Sequence, residues 1–532
     1  MAALEHWTLY AALACTLGCS LDSRVVDTLP GASQPTTDTR NTGGTAASSP
    51  GVGVGDETLG YPLRPGSAGA AGVGPAIAGS AGAAGVGPAA AGSAGAENGV
   101  SLTVSSRGDG FGSVRVSVGS SEPVVCSPRC SALVSPGVIA AVTAEAGPYS
   151  VVQSWSEPGC GGPTCVVPVD ASTDLSVEFQ LAHNVAFLSS QSYLPTELPR
   201  AGVEAGAECA RLAAAAGLHG TRWVAWLSAE GPTEAAEDDV NARDFFQHTG
   251  GWVRSDGQPV ARSLSTLTSG QLLQPINLTE SRGFAPSNGS WAGTGLDGNA
   301  ARAFATGVSD CQNWSTNAAA ERGSDRRVDG VGEFWTGASE STCDSRQPIT
   351  CLGDDSDAEL DIVPAAGRLA FLTAGEFTPG AGVAAADLLC QREACEAGLT
   401  GSGNCAQTLG VARTFLSYLH LQARRAWERF NLDGPTWVRR DGVPWLESAS
   451  VLAQDAPNRL SALNLTLDLR YLGEGRTVWL GDVAGQATCA DWSSTAGLGG
   501  ASVYDAVTLA SLTAGDPSQE CSLPARLYCL EE

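Results

Sequence analysis

The chain has 532 residues and a formal net charge of −26, and every one of its 30 basic residues is Arg. So acidic a balance removes the driving force for phosphate-backbone binding and for adhesion to acidic membrane surfaces, which excludes nucleic acid as a partner. The length allows about three domains, but Gly is densest in the N-terminal hundred residues, where little core is expected.

Residues 7–18 (WTLYAALACTLG) form an apolar run too short to span a membrane and placed where a signal peptide stands. Thr16-Leu17-Gly18-Cys19 resembles a lipoprotein cleavage box, with small Gly18 ahead of the Cys that takes the lipid. Residues 1–18 are therefore expected to be a signal peptide and Cys19 the lipidated residue of a cell-surface or outer-membrane lipoprotein, with ordinary secretion as the alternative. Residues 19–100 are mostly Gly, Ala, Ser, Pro and Thr. Within them SAGAAGVGPAIAG (67–79) recurs as SAGAAGVGPAAAG (80–92). Such a composition cannot bury enough apolar surface to offset its ordering entropy, and Gly does not fall at every third position as in collagen. A disordered tether is expected. No later stretch has the length and apolarity of a transmembrane helix.

From 101 to 182 the pattern changes. SVRVSV (113–118) and DLSVEF (174–179) alternate as strands do, between Gly, Pro and Ser turns. Cys126, Cys130, Cys160 and Cys165 lie here, and their spacing leaves the connectivity open. The Gly-x-Gly-x-Val start, the Cys-x3-Cys, Trp155 ahead of the second Cys pair and the closing Asp-x-x-Val-x-Phe resemble the small β-rich bacterial-repeat module of secreted proteins. A zinc ribbon would need CxxC-like knuckles, which spacings of four and five do not supply.

A tandem repeat fills the remainder. Phe187-Leu188-Ser189 is answered by Phe371-Leu372-Thr373, Cys209 by Cys390, and Trp226-Leu227-Ser228 by Phe415-Leu416-Ser417. Trp252-Val253-Arg254-Ser255-Asp256-Gly257 is answered by Trp437-Val438-Arg439-Arg440-Asp441-Gly442. Asn277-Leu278-Thr279, Trp291-Ala292-Gly293 and Cys311-x-x-Trp314 recur as Asn464-Leu465-Thr466, Trp479-Leu480-Gly481 and Cys489-x-x-Trp492. Each copy closes on a Cys pair eight apart, Cys343/Cys351 and Cys521/Cys529. The Asp-Gly steps read as β-turns. The acidic stretch GDDSDAELD (353–361) joins the copies, lacks EF-hand spacing, and reads as a solvated linker.

This ordered set of motifs resembles the endostatin domain and the related bacterial domains of unknown function that share its C-type-lectin-like fold, over about three-fifths of the chain. The fold class expected is α+β: a β module at 101–182, then endostatin-like domains at 184–353 and 366–531. The resemblance implies nested disulfides, Cys209–Cys351 around Cys311–Cys343 and Cys390–Cys529 around Cys489–Cys521. Cys395 and Cys405, which flank an insertion in the second copy, most simply pair with each other. Endostatin's zinc uses N-terminal His residues, and the corresponding stretch here has only His183, so no metal is carried over; its heparin binding depends on an Arg-rich face, which this strongly acidic chain supports weakly at most. The sugar–calcium motifs of true C-type lectins are absent as well.

Chemistry is sparse. Even cysteine numbers without CxxC, and scarce His, favour disulfides in an oxidising compartment over zinc sites. His183, His219, His248 and His420 show no pairing spacing, and no HExxH, GxSxG or Walker loop occurs. Every Cys after the N-terminal segment has a candidate partner, which leaves no nucleophilic thiol. The recurring Trp residues (223, 226, 252, 291, 314, 335, 437, 479, 492) read as core anchors. No catalytic residue, metal or cofactor is expected. The expected function is adhesion-type binding of an extracellular protein or glycan, with membrane contact only through the lipid. The alternatives are a structural envelope component or a divergent secreted hydrolase. A lectin-like fold points to binding by analogy alone.

Overall fold

The computed structural model describes residues 99–532 except 127, 199, 232–237, 302–309, 338, 402–404, 406–412, 455–458, 473–476, 483–484, 503–507 and 510–515. The signal segment, Cys19 and the tether lie outside the described residues. Strands β1 (Val100–Arg107) to β8 (Thr173–Leu181) make two four-stranded sheets. One runs β4 (Arg129–Val134), β1, β8, β6 (Ser150–Trp155), and the other β3 (Val124–Cys126), β2 (Gly112–Val118), β5 (Val138–Ala146), β7 (Thr164–Val169). Alternation explains the sandwich. In β2, Val114 and Val116 face inward, and with Val104, Val142, Val167, Val177 and Phe179 they form its core. Cys126–Cys130 links edge strand β3 of one sheet to edge strand β4 of the other, and Cys160–Cys165 closes a short loop.

The repeat follows as mixed α+β structure. In the first copy the sheet order is β10 (Trp223–Ala225), β16 (Thr350–Gly353), β9 (Asn184–Leu188), β11 (Trp252–Arg254), β12 (Pro259–Ala261). A smaller sheet joins β13 (Gly289–Trp291), β14 (Arg322–Arg327) and β15 (Ser339–Thr342). The second copy repeats it with β17 (Arg368–Leu372), β18 (Phe415–Ser417), β19 (Trp437–Arg439) and β23 (Tyr528–Glu531), and with β20 (Val478–Trp479), β21 (Leu498–Ser502) and β22 (Asp516–Glu520). In both, the first strand lies antiparallel to the last, with Phe187 opposite Cys351 and Phe371 opposite Cys529. One long helix per copy, Val203–Ala216 or Val383–Glu396, packs on this sheet through Cys209 or Cys390, each bonded to the last strand. Cys311–Cys343, Cys489–Cys521 and Cys395–Cys405 are also joined.

The repeat alignment needs one correction. Ala225 lies opposite Cys351 and Ser417 opposite Cys529, so Phe415-Leu416-Ser417 corresponds to Trp223-Val224-Ala225 and not to Trp226-Leu227-Ser228. The three-residue slip arose because W-L-S and F-L-S look alike, whereas strand pairing decides register.

Both Cys-x-x-Trp segments form a full left-handed turn. The φ angles of Cys311–Trp314 run from 51° to 59° and those of Cys489–Trp492 from 48° to 64°. This conformation costs roughly 1–2 kcal/mol for each L-residue. Fixed partners hold it: the disulfide, a buried cap (Asp310 or Thr488) accepting from the backbone of Asn313 or Asp491, and the Trp indole. Trp314 donates to the Ser228 carbonyl and Trp492 to that of His420, each at 2.9 Å. All nine recurring Trp residues are buried.

Each copy docks on what precedes it through its Asp-Gly turn. Gly257 has φ 78° and lies so close to Phe111 of the β module that an added Cβ would stand 2.8 Å from the ring. Gly442 has φ 86° and approaches Pro364 as closely. In the first copy Arg254 grips Asp256 through two guanidinium nitrogens (2.9 and 2.7 Å) and reaches the Asn277 side chain with a third. In the second, fully buried Arg439 grips Asp441 in the same way, but its third nitrogen crosses to the Leu273 carbonyl of the first copy at 3.0 Å. The joining stretch is not simply solvated. Asp354 is fully buried, bonded to Arg222 (2.6 Å) and to the backbone of Gln247 and His248, and Asp355 accepts from Thr221 and Arg222. Arg222, whose backbone pairs with Asp354, anchors acids that sequence patterning assigns to solvent.

Removing one partner of a buried ion pair strands the other charge, a loss of about 3–5 kcal/mol. Arg439→Ala is therefore expected to lower the thermal midpoint sharply, and Arg439→Met/Asp441→Leu to recover most of it. Differential scanning calorimetry checks this, and equal midpoints for the wild type and Arg439→Ala would contradict it.

Candidate functional site

A glycine in the left-handed region stands at the end of each long helix: Gly217 (φ 72°) caps the first, and Gly398 (φ 74°) follows the Ala397 cap of the second. Beside that end lies the loop after Asn-Leu-Thr, where Arg282 and Leu469 occupy the same unusual backbone conformation (φ 65° and 63°). Between helix end and loop, each copy carries a groove. That of the first copy is about 350 Å³, lined by Ala216, Gly217, Leu218, Glu280, Ser281 and Arg282 together with Gly108 and Asp109 of the β module. That of the second is about 740 Å³. Ala397, Leu467 and Asp468 line it at the positions of Ala216, Glu280 and Ser281, and Arg392, Glu393, Glu396 and Arg440 complete its polar wall.

The β module forms one side of the first groove. The Asp109 side chain is 4% exposed. Its carboxylate accepts from the backbone of His219 (2.8 Å) and Leu181 (3.1 Å) and lies 2.5 Å from His219 Nδ1. Burial pushes the Asp109 carboxyl up, but the hydrogen bonds and charge of His219 outweigh that and hold it below the usual carboxylate range. Arg282 donates to the Asp109 carbonyl at 2.9 Å and stacks 4.6 Å over the Phe111 ring. No described residue plays that part in the second groove, where Leu469, in place of Arg282, is 54% exposed.

A carboxylate on the wall is common to both grooves but comes from different elements. Glu280, on the loop, accepts from Ser190 N at 3.0 Å and from the Ser190 hydroxyl. In the second copy position 467 is Leu, and Glu393 from the helix accepts from Ala374 N and Gly375 N at 2.9 and 2.8 Å. Burial raises the Glu393 carboxyl above its ordinary value. Asp468 accepts from the Thr466 hydroxyl, which heads the causes holding it below the carboxylate range. Glu396 pairs loosely with Arg392 at 4.0 Å.

Of the residues singled out in the sequence, the fourteen cysteines lie in the scaffold and not in a groove, and Cys19 lies outside the described residues. His219 meets Asp109, and His248 meets Asp354. His420 is buried, with Nδ1 accepting from Ala426 N at 3.3 Å, and His183 packs beside Tyr149. Among the described residues no three His, Cys, Asp or Glu side chains converge as a metal site needs. Sequence reasoning missed Asp109, Glu280, Arg282, Glu393 and Arg440. One signal was present: Ser255, buried with its hydroxyl on the Thr279 carbonyl, is answered by Arg440 inside an otherwise matching turn. No protein-family model matches the sequence, and no curated protein matches it either.

The Asp109 contact should depend on pH. A carboxyl whose folded pKa is depressed contributes stability that is present above its unfolded value of about 3.9 and is lost as pH falls through the folded pKa. Asp256 and Asp441 are depressed too: burial raises them, and their arginines outweigh it. Asp109→Asn is expected to lower the melting temperature at pH 7 and to narrow the gap to the wild type near pH 3. Thermal melts across that range check the sign.

Proposed function

We propose that this chain is an exported surface-binding protein, in which a β module and two endostatin-like, lectin-fold domains are presented by a Gly/Ala-rich tether anchored through lipid on Cys19. Seven joined cysteine pairs fit the oxidising space outside the cytoplasm. No helix among the described residues is long and apolar enough to cross a membrane.

The observation that carries the binding reading is the pair of equivalent grooves. Two scaffolds of the same topology, each locked by an inner and an outer disulfide, hold loops of different chemistry at one place. Rigid frames with divergent loops are how binding folds change specificity. The resemblance in cysteine order, closing Cys pair and Cys-x-x-Trp supports the lectin-fold assignment, and the pairing of first with last strand is compatible with it.

Two measurements test this reading. Intact mass of the natively exported protein, before and after reduction and alkylation, is expected to give a chain starting at Cys19 with a diacylglycerol-sized increment and seven disulfides. An unlipidated start elsewhere would sink the anchor. A panel of extracellular-matrix proteins and glycans is expected to yield at least one saturable ligand for the full chain, and a blank panel would count against the binding function.

A further inference from the structure

We propose that the groove of the second copy is an open docking site for a carboxylate-bearing turn of another polypeptide, with Arg440 as its charged anchor. This deepens the surface-binding reading and rests on it. The chain itself supplies the template. In the first copy such a turn, Gly108–Phe111, docks against the corresponding groove and forms one side of it: its Asp109 carboxylate is taken up by backbone N–H groups and His219 while Phe111 lies under Arg282. The second groove is formed by the same two elements and has about twice the volume, and no described residue enters it from elsewhere.

Two arginines, Arg392 and Arg440, line it together with three acids. Of the acids, Glu393 accepts from two backbone N–H groups and Asp468 from the Thr466 hydroxyl, while exposed Glu396 lies 4.0 Å from Arg392. Arg440 is exposed and has no ion-pair partner among the described residues, although the chain is strongly acidic. At the matching position the first copy has Ser255, buried and bonded to the Thr279 carbonyl, so the cation is particular to the groove that the β module does not border. Exposed Leu469 supplies an apolar contact at the position where Arg282 meets Phe111. A free guanidinium beside an apolar rim suits a short acidic turn carrying one large side chain.

The experiment uses the full chain and a backbone-cyclised peptide of its own residues 106–112 as probe, followed by calorimetric titration. In the first copy the contacts this turn makes are already made in cis at high effective concentration, so one site is expected. Affinity should fall at least about tenfold with Arg440→Glu, and by as much when Asn replaces Asp in the peptide. Arg440 is exposed, so the variant should keep its melting temperature and its seven disulfides. Absence of saturable binding, or equal affinity for wild type and Arg440→Glu, overturns the proposal. So does binding of an acidic glycan at Arg440 while the peptide stays silent. A matrix or glycan ligand retained by Arg440→Glu would leave the surface-binding reading standing and sink only this groove, whereas a blank panel would sink the reading itself.

Discussion

The architecture depends on a buried guanidinium–carboxylate pair spaced two residues apart at the tip of a hairpin. Arg254–Asp256 and Arg439–Asp441 neutralise charge that the interior would otherwise reject, and each leaves one arginine nitrogen to satisfy a neighbour. In the first copy that nitrogen stays at home on Asn277. In the second it crosses to the Leu273 carbonyl of the first copy, and the Asn464 side-chain oxygen is left buried without a partner among the described residues. The difference turns a local turn into a joint between copies.

The glycine after each pair gives the same turn a second role. Because Gly257 and Gly442 bring backbone rather than side chain to the surface, Phe111 and Pro364 close directly on it. The β module is thereby seated on the first copy with Asp109 at its groove, and the second copy is set against the linker. The described residues from 99 to 532 fall within one compact unit. Tyr149 of the module also binds the linker, accepting from Val363 N at 2.9 Å. Seating a module at one groove and not at the other is how two near-identical scaffolds come to present different surfaces.

Much of the scaffold was legible because it is written in residue types with few alternatives. Alternating apolar residues marked β2 and β8, and cysteine and tryptophan order marked the repeat. The left-handed Cys-x-x-Trp turns were not legible, since nothing local favours four L-residues at positive φ and their partners arrive from Ser228, His420 and a distant cysteine. The acidic linker was misread for a related reason. Composition says solvent, but Asp354 is buried by an arginine more than a hundred residues away.

By itself the sequence determined the mixed α+β class, the doubled unit and the cysteines available for disulfides, because periodicity and spacing are properties of the chain alone. Only the tertiary structure decided the strand register of the second copy, which groove the β module borders, and that Asp109 and Arg440 line them. Those outcomes depend on contacts between residues far apart in sequence, where the physical neighbour and not the local pattern sets the energy.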